Sequence, residues 1–219
     1  MRKLLPLLLI LLIAGFTAQG QEGSGKNPNK INGGFYIKLG PSIPVGPFNA
    51  TQYAVNTNAT PDDTLKVFDQ PKTGIIGDLG YLIYIGPAFA NNRLRAAVDL
   101  TFLTGGYHPS KHVLKANEEK VDYLYFFAGQ KIGPMITVNP IDRLMIDLSW
   151  KLCFSISEYD GDYGLTMTQQ EIMLGLRYRI VAFSLNYQFG EMNFNDLDND
   201  NQDQIIDQNM LKIMVGLKF

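Results

Sequence analysis

The sequence predicts an all-β fold: an eight-stranded antiparallel up-and-down transmembrane β-barrel, with short turns at one end and long loops at the other. Three observations predict it. Eight segments alternate apolar and polar residues, the period-two pattern of a strand with one apolar face. The links between them alternate short and long. The chain ends on an alternating strand, Leu211 to Phe219, whose last residue is aromatic.

The N-terminus reads as an export signal. Arg2 and Lys3 precede an almost wholly apolar run from Leu4 to Phe16, and Ala18 and Gly20 supply small residues two apart. That is the layout of a cleaved signal peptide over residues 1–20. The rival is a membrane anchor, but the run falls short of the roughly 20 residues a spanning helix needs. Residues 21–33, polar and rich in Gly and Asn, form a flexible lead-in, and residues 34–219 form the barrel domain. The single cysteine, Cys153, leaves an exported chain without an internal disulfide framework.

The first strand runs from Gly34 to about Val45, with Phe35, Ile37 and Leu39 on one face and Tyr36 and Lys38 on the other. The second, about Gly74 to Ile85, sets Ile75, Leu79, Tyr81 and Ile83 against Asp78, Gly80 and Tyr84. The third, about Leu94 to Leu103, sets Leu94, Ala96, Val98, Leu100 and Phe102 against Arg95, Asp99 and Thr101. The fourth, about Val121 to Val138, carries Lys131 and Thr137 opposite its apolar face; Gln130 and Pro134 break that face, so a bulge or kink is expected near Gly129–Pro134. The fifth, Leu144 to Ser155, is the most regular: Leu144, Ile146, Leu148, Trp150, Leu152 and Phe154 oppose Asp147, Ser149, Lys151, Cys153 and Ser155. The sixth, about Thr168 to Ile180, sets Ile172, Leu174, Leu176 and Tyr178 against Glu171, Arg177 and Arg179. The seventh runs from about Val181 to Phe189 and the eighth from about Asn209 to Phe219. Most are long enough to cross a bilayer as tilted strands of about 9–11 residues.

The short links are Gly86–Arg93, Asn139–Asp142 and Ile180–Ala182; the long ones are Gly46–Thr73, Thr104–Lys120, Ile156–Met167 and Gly190–Gln208. Short periplasmic turns and longer external loops give this alternation, and an even strand count puts both ends on the periplasmic side. Two rivals stand beside this reading. A soluble lipocalin-like barrel would have the same alternation with its apolar face inside. A ten-stranded barrel would follow if Gly46–Thr73 hid a hairpin.

With apolar faces on lipid, the polar faces fill the lumen. Lys38, Asp78, Arg95, Asp99, Lys131, Asp147, Lys151, Glu171, Arg177, Arg179 and Lys212 then point inward. Eight strands leave an interior just wide enough for side chains, and charges in such a space are costly unless paired. The expectation is an internal salt-bridge network plugging the lumen; the alternative is a narrow ion path. Trp150, Tyr81, Tyr178 and Tyr187, on lipid faces, are candidates for interfacial girdles, against simple β-propensity.

Candidate chemistry is sparse. The net charge of −2 and pI near 5.7 argue against nucleic acid. Asp196, Asp198, Asp200 and Asp207 stand at first, third, fifth and twelfth positions, like the carboxylates of a calcium loop. Asn201 replaces the usual turn glycine there, and a solvated acidic loop is the plainer reading; such a loop could also bridge lipopolysaccharide through divalent cations. His108 and His112 are four apart, but Pro109 and a loop setting argue against a shared metal. A lipid-modifying enzyme would need a Ser–His or Asp–His constellation; Glu118, Glu119 and several serines are present without a spacing that selects them. Cys153 is expected to be a buried, inert thiol. No cofactor is expected beyond that calcium candidate.

The segment Gly34-Phe-Tyr-Ile-Lys-Leu-Gly-Pro-Ser-Ile-Pro-Val-Gly-Pro-Phe48 and the terminal Leu217-Lys-Phe219 resemble the opening and closing strands of the small bacterial outer-membrane β-barrels, the family of the OmpA transmembrane domain and OmpX. The resemblance implies a Gram-negative outer membrane as location, outer-membrane lipids and lipopolysaccharide as surroundings, and recognition of the Phe219 strand by the barrel-assembly machinery. It implies no catalytic residue, because the fold alone does not license a function. Two function classes follow: a structural or surface-interaction barrel acting through its external loops, and a narrow channel or transporter of small or apolar solutes.

Overall fold

The computed structural model describes residues 33–45, 48–52, 68–69, 72–90, 93–113, 120–141, 143–159, 162–195 and 203–219. The segments expected as signal peptide (residues 1–20) and, but for Gly33, as lead-in (residues 21–33) lie outside them. Twelve strands are formed: β1 (Gly34–Pro44), β2 (Phe48–Gln52), β3 (Phe68–Asp69), β4 (Gly74–Phe89), β5 (Leu94–Val113), β6 (Lys120–Ile141), β7 (Leu144–Tyr159), β8 (Asp162–Tyr178), β9 (Val181–Phe189), β10 (Glu191–Asn195), β11 (Asp203–Asp207) and β12 (Met210–Lys218). No helix occurs among the described residues.

Eight of these close into one antiparallel ring, in the order β1-β4-β5-β6-β7-β8-β9-β12 and back to β1. The seam joins the first and last strands, from Tyr36↔Lys218 to Pro44↔Met210. There the Phe219 amide donates to the Phe35 carbonyl at 2.8 Å. The Phe35 ring lies 6.3 Å from that of Phe219 and 5.9 Å from that of Phe102. Closure leaves no unpaired edge, which is the condition for a sheet to stand in hydrocarbon.

The ring is inside out relative to a soluble barrel. Along β7, Leu148, Trp150, Leu152, Phe154 and Ile156 are exposed while Asp147, Ser149, Lys151, Cys153 and Ser155 are buried. Leu148 is 53% exposed and its neighbour Asp147 only 3%. The same inversion holds on β8, β9 and β12. An apolar outer wall of this extent is stable only against lipid, so the soluble lipocalin-like alternative is excluded. This is the architecture of the small eight-stranded outer-membrane barrels.

The wall is uneven in height. β1, β9 and β12 have 11, 9 and 9 residues, about one membrane crossing. β5, β6, β7 and β8 have 20, 22, 16 and 17, so they project beyond it at the loop end. Two expected long loops are therefore mostly wall: β5 runs on to Val113 before β6 starts at Lys120, and β7 and β8 meet at Tyr159↔Asp162. The first long loop does hold a hairpin-like pair, β2 with β3 (Phe48↔Asp69, Asn49↔Phe68). It does not add two strands to the membrane ring. It joins β10 and β11 in a bridge from β8 to β5, in the order β8-β10-β11-β2-β3-β5. The tall strands and this bridge make a second closed ring, a collar above the first.

Register slips shape the wall. β5 slips by one residue against β4 between Leu79 and Gly80, and against β6 between Thr101 and Thr104. Both slips place a bulge at Phe102–Leu103, on the strand opposite the Gly129–Lys131 stretch and not within β6 as expected. Pro134 stays in register with Val98 and faces outward. A bulge changes which residues face in. Beyond it Thr104 and His108 are buried, as Asp99 and Thr101 are before it. β8 slips likewise between Thr166 and Gln169.

Candidate functional site: the lumen

The polar faces of all eight ring strands converge on one network at mid-height. Glu171 on β8 is its hub. Lys131 on β6 and Lys212 on β12 donate to Glu171 Oε2 at 2.9 and 2.8 Å, and Asn186 on β9 donates to Oε1 at 3.1 Å. Lys151 on β7 stands 3.2 Å from both Glu171 Oε1 and Asp99 Oδ2 on β5. Its ammonium meets no hydrogen-bond geometry there, so these are charge contacts without directed bonds. Lys131 also donates to Asp78 on β4 at 2.9 Å, and Thr104 donates to the other Asp78 oxygen at 2.6 Å. Tyr36 on β1 donates its hydroxyl proton to Asp99 at 2.6 Å. These side chains are essentially without solvent contact. Such desolvation costs several kcal/mol per ion and is tolerable only because each carboxylate stands against a cation and accepts at least one hydrogen bond.

On the loop side the network passes into neutral amides. Lys212 donates to Gln188, whose amide donates to Gln169; Gln169 donates to Gln208, and Gln208 to the Tyr125 oxygen at 2.6 Å. Tyr125 and Ser157 share a hydrogen bond of 2.9 Å. His108 lies beside the Tyr125 and Phe127 rings, with Nδ1 3.0 Å from the Lys72 carbonyl.

On the turn side, an apolar layer of Tyr36, Leu82, Ala97, Met135 and Met173 crosses the lumen. Beyond it Arg177 forks onto both oxygens of Asp147, which also accepts from Thr137 at 2.7 Å. Arg177 Nη2 reaches the Tyr84 hydroxyl at 2.8 Å. Arg95 and Lys218 stand over the Tyr84 ring.

Ten of the eleven predicted inward charges face the lumen, Arg95 and Lys38 among them. Arg179 does not: it occupies the β8–β9 turn with φ of 56°, exposed, over the Tyr178 ring. The sequence reading missed the inward methionines Met135, Met173 and Met210, and the Gln169–Gln188–Gln208 chain. Period two puts Met173 on the face of Glu171; counting methionine simply as apolar hides it.

The other candidates fare differently. Asp196, Asp198 and Asp200 lie outside the described residues, as do Glu118 and Glu119. Asp207 ends β11 opposite Glu191, while Asn195↔Asp203 closes the hairpin's far end. His108 and His112 both lie in β5, four residues apart along the strand. Cys153 is a free, buried thiol facing the lumen. Trp150, Tyr178 and Tyr187 are exposed on the outer wall, and the Trp150 indole donates to Gln170 at 3.0 Å.

No family model matches the chain, and no curated protein matches it. Solved structures that resemble it include the outer membrane protein OprG from Pseudomonas aeruginosa, 10% identical with a TM-score of 0.45, covering 88% of this chain and 98% of that one. Ail, the attachment invasion locus protein of Yersinia pestis, is 12% identical with a TM-score of 0.27, covering 84% of this chain and 99% of that one. Likenesses this distant carry no argument about activity.

Proposed function

We propose that this chain is an exported, non-catalytic outer-membrane barrel that works through its loop end while its lumen is plugged by side chains. The observation that carries this reading is the single network in which every ring strand takes part, from Tyr36 on β1 through Asp78, Asp99, Lys131, Lys151, Glu171 and Asn186 to Lys212 on β12. A water-filled path would have to run through that network and through the apolar Leu82–Met135–Met173 layer below it. The tall strands β5 to β8 support the second half of the reading. Paired backbone rising above the membrane gives the loops a rigid base, the arrangement by which scaffolds present contact surfaces. Lipopolysaccharide and other surface molecules are the partners this placement favours, and the Phe219 strand is the segment for the assembly machinery to engage.

The test is single-channel recording of the refolded protein in planar bilayers. The plugged barrel gives no steady openings at ordinary voltages. Sustained, uniform conductance steps would replace this reading with the channel or transporter one.

A further inference from the structure

Among the described residues, the fully buried charges of the lumen do not cancel, and the excess cation sits in one place. Nine charged side chains are buried outright: Lys38, Lys131, Lys151, Arg177 and Lys212 against Asp78, Asp99, Asp147 and Glu171. Five cations and four carboxylates leave one positive charge over. Every buried carboxylate is engaged by at least one cation. Lys38 is the cation left out. It is 8% exposed, its ammonium donates only to the Met173 sulfur at 3.2 Å, and it lies 4.9 Å from the centre of the Tyr36 ring. Among the described residues it has no carboxylate partner.

Lys38 lines a cavity of about 10 Å³ on the turn side, together with Arg177, Lys218, Asp99, Asp147 and Met173. Asp147 is committed to the Arg177 fork and Asp99 to Tyr36 and Lys151. Arg177 spends Nε and Nη2 in these bonds, and its Nη1 enters none of them. Three cations and two already-claimed carboxylates thus surround a space the size of one water. A buried ammonium without a counter-charge is expensive, and a bound anion removes that cost. We infer that this cavity is a binding site for a monatomic anion of the chloride class, held by Lys38 with Arg177 and Lys218. The volume excludes oxyanions such as sulfate and phosphate. The inference stands apart from the proposed function, because a plugged or a conducting barrel could equally hold such an ion.

Bromide is the probe. Crystals of the full barrel grown in bromide, measured at its absorption edge, show an anomalous peak in the cavity beside Lys38 Nζ. A cavity holding only water density overturns the proposal. In solution, the refolded protein broadens the chloride NMR line in excess of empty micelles, the excess saturates, and sulfate at equal ionic strength does not displace it. Lys38→Met weakens the binding about tenfold, the loss of one charge-assisted contact. Broadening unchanged in Lys38→Met also overturns the proposal. Should that variant fail to refold, Lys218→Gln and the wild-type bromide crystals decide the matter.

Discussion

At the scale of single residues, the lumen is governed by where a side chain is missing. Gly80 faces Tyr36 across the β1–β4 ladder. A Cβ there would lie 2.3 Å from the Tyr36 ring and hydroxyl, and 2.6 Å from the Leu100 carbonyl oxygen. Tyr36 cannot move without leaving Asp99 and Thr101. Gly80→Ala should therefore destabilise the barrel by about 2–3 kcal/mol, the scale of overpacking a filled interior. Gly77→Ala is the matched control, since its Cβ would meet only the Leu39 side chain and the Lys38 carbonyl at ordinary contact distance. Urea titration of the protein refolded into vesicles measures both; equal losses would remove the Tyr36–Gly80 contact as the cause. The inward identity of these residues was legible in the sequence, because period two alone decides it. Glu171's place as hub was not. Which lysines reach it across the lumen depends on strand stagger, and alternation along one strand says nothing about stagger between strands.

Elements were read well at one end and poorly at the other. β9 spans Val181–Phe189, where the alternation puts it, and the three short turns fall where short links are expected. At the loop end, β5 was cut off ten residues early. The cause is the bulge at Phe102–Leu103: two apolar residues in succession end a strict alternation, while the strand itself continues on the opposite parity. The slip in β8 hid its start in the same way. The turns themselves carry a correctable cost. Arg143 and Arg179 hold φ of 70° and 56°, the left-handed region that suits glycine. Side chains there are exposed, so Arg143→Gly and Arg179→Gly should each raise stability by about 0.5–1 kcal/mol. The same urea titration checks this, and a loss in either variant would mean the arginine side chain contributes more than its backbone strain costs.

Over the whole molecule, two rings of unequal strength share four strands. The lower is paired along long ladders, such as Gly34↔Leu82 through Ser42↔Gly74. The upper depends on β3, which is two residues long, and on the three-residue pairings of β11 with β2 and β10 with β8. Short pairings open locally at low cost. Hydrogen exchange followed by mass spectrometry should find the amides of β2, β3, β10 and β11 exchanging well before those of β1, β9 and β12. Equal protection would mean the collar is as firm as the membrane ring. The sequence allows an extra hairpin in residues 46–73 but does not reveal this bridge, because the bridge hinges on the pairing of β11 with β2, segments more than a hundred residues apart.

The seam between β1 and β12 has a consequence for how such a molecule comes into being. The first strand to leave the ribosome finds its second neighbour only in the last. Until Met210–Lys218 has been made, β1 and β9 each keep one row of unanswered amides and carbonyls, and no partial chain has a form that hydrocarbon accepts. Insertion therefore cannot proceed hairpin by hairpin to a series of stable stopping points. The protein is either open and in need of an escort, or shut, and a single nine-residue segment is the clasp.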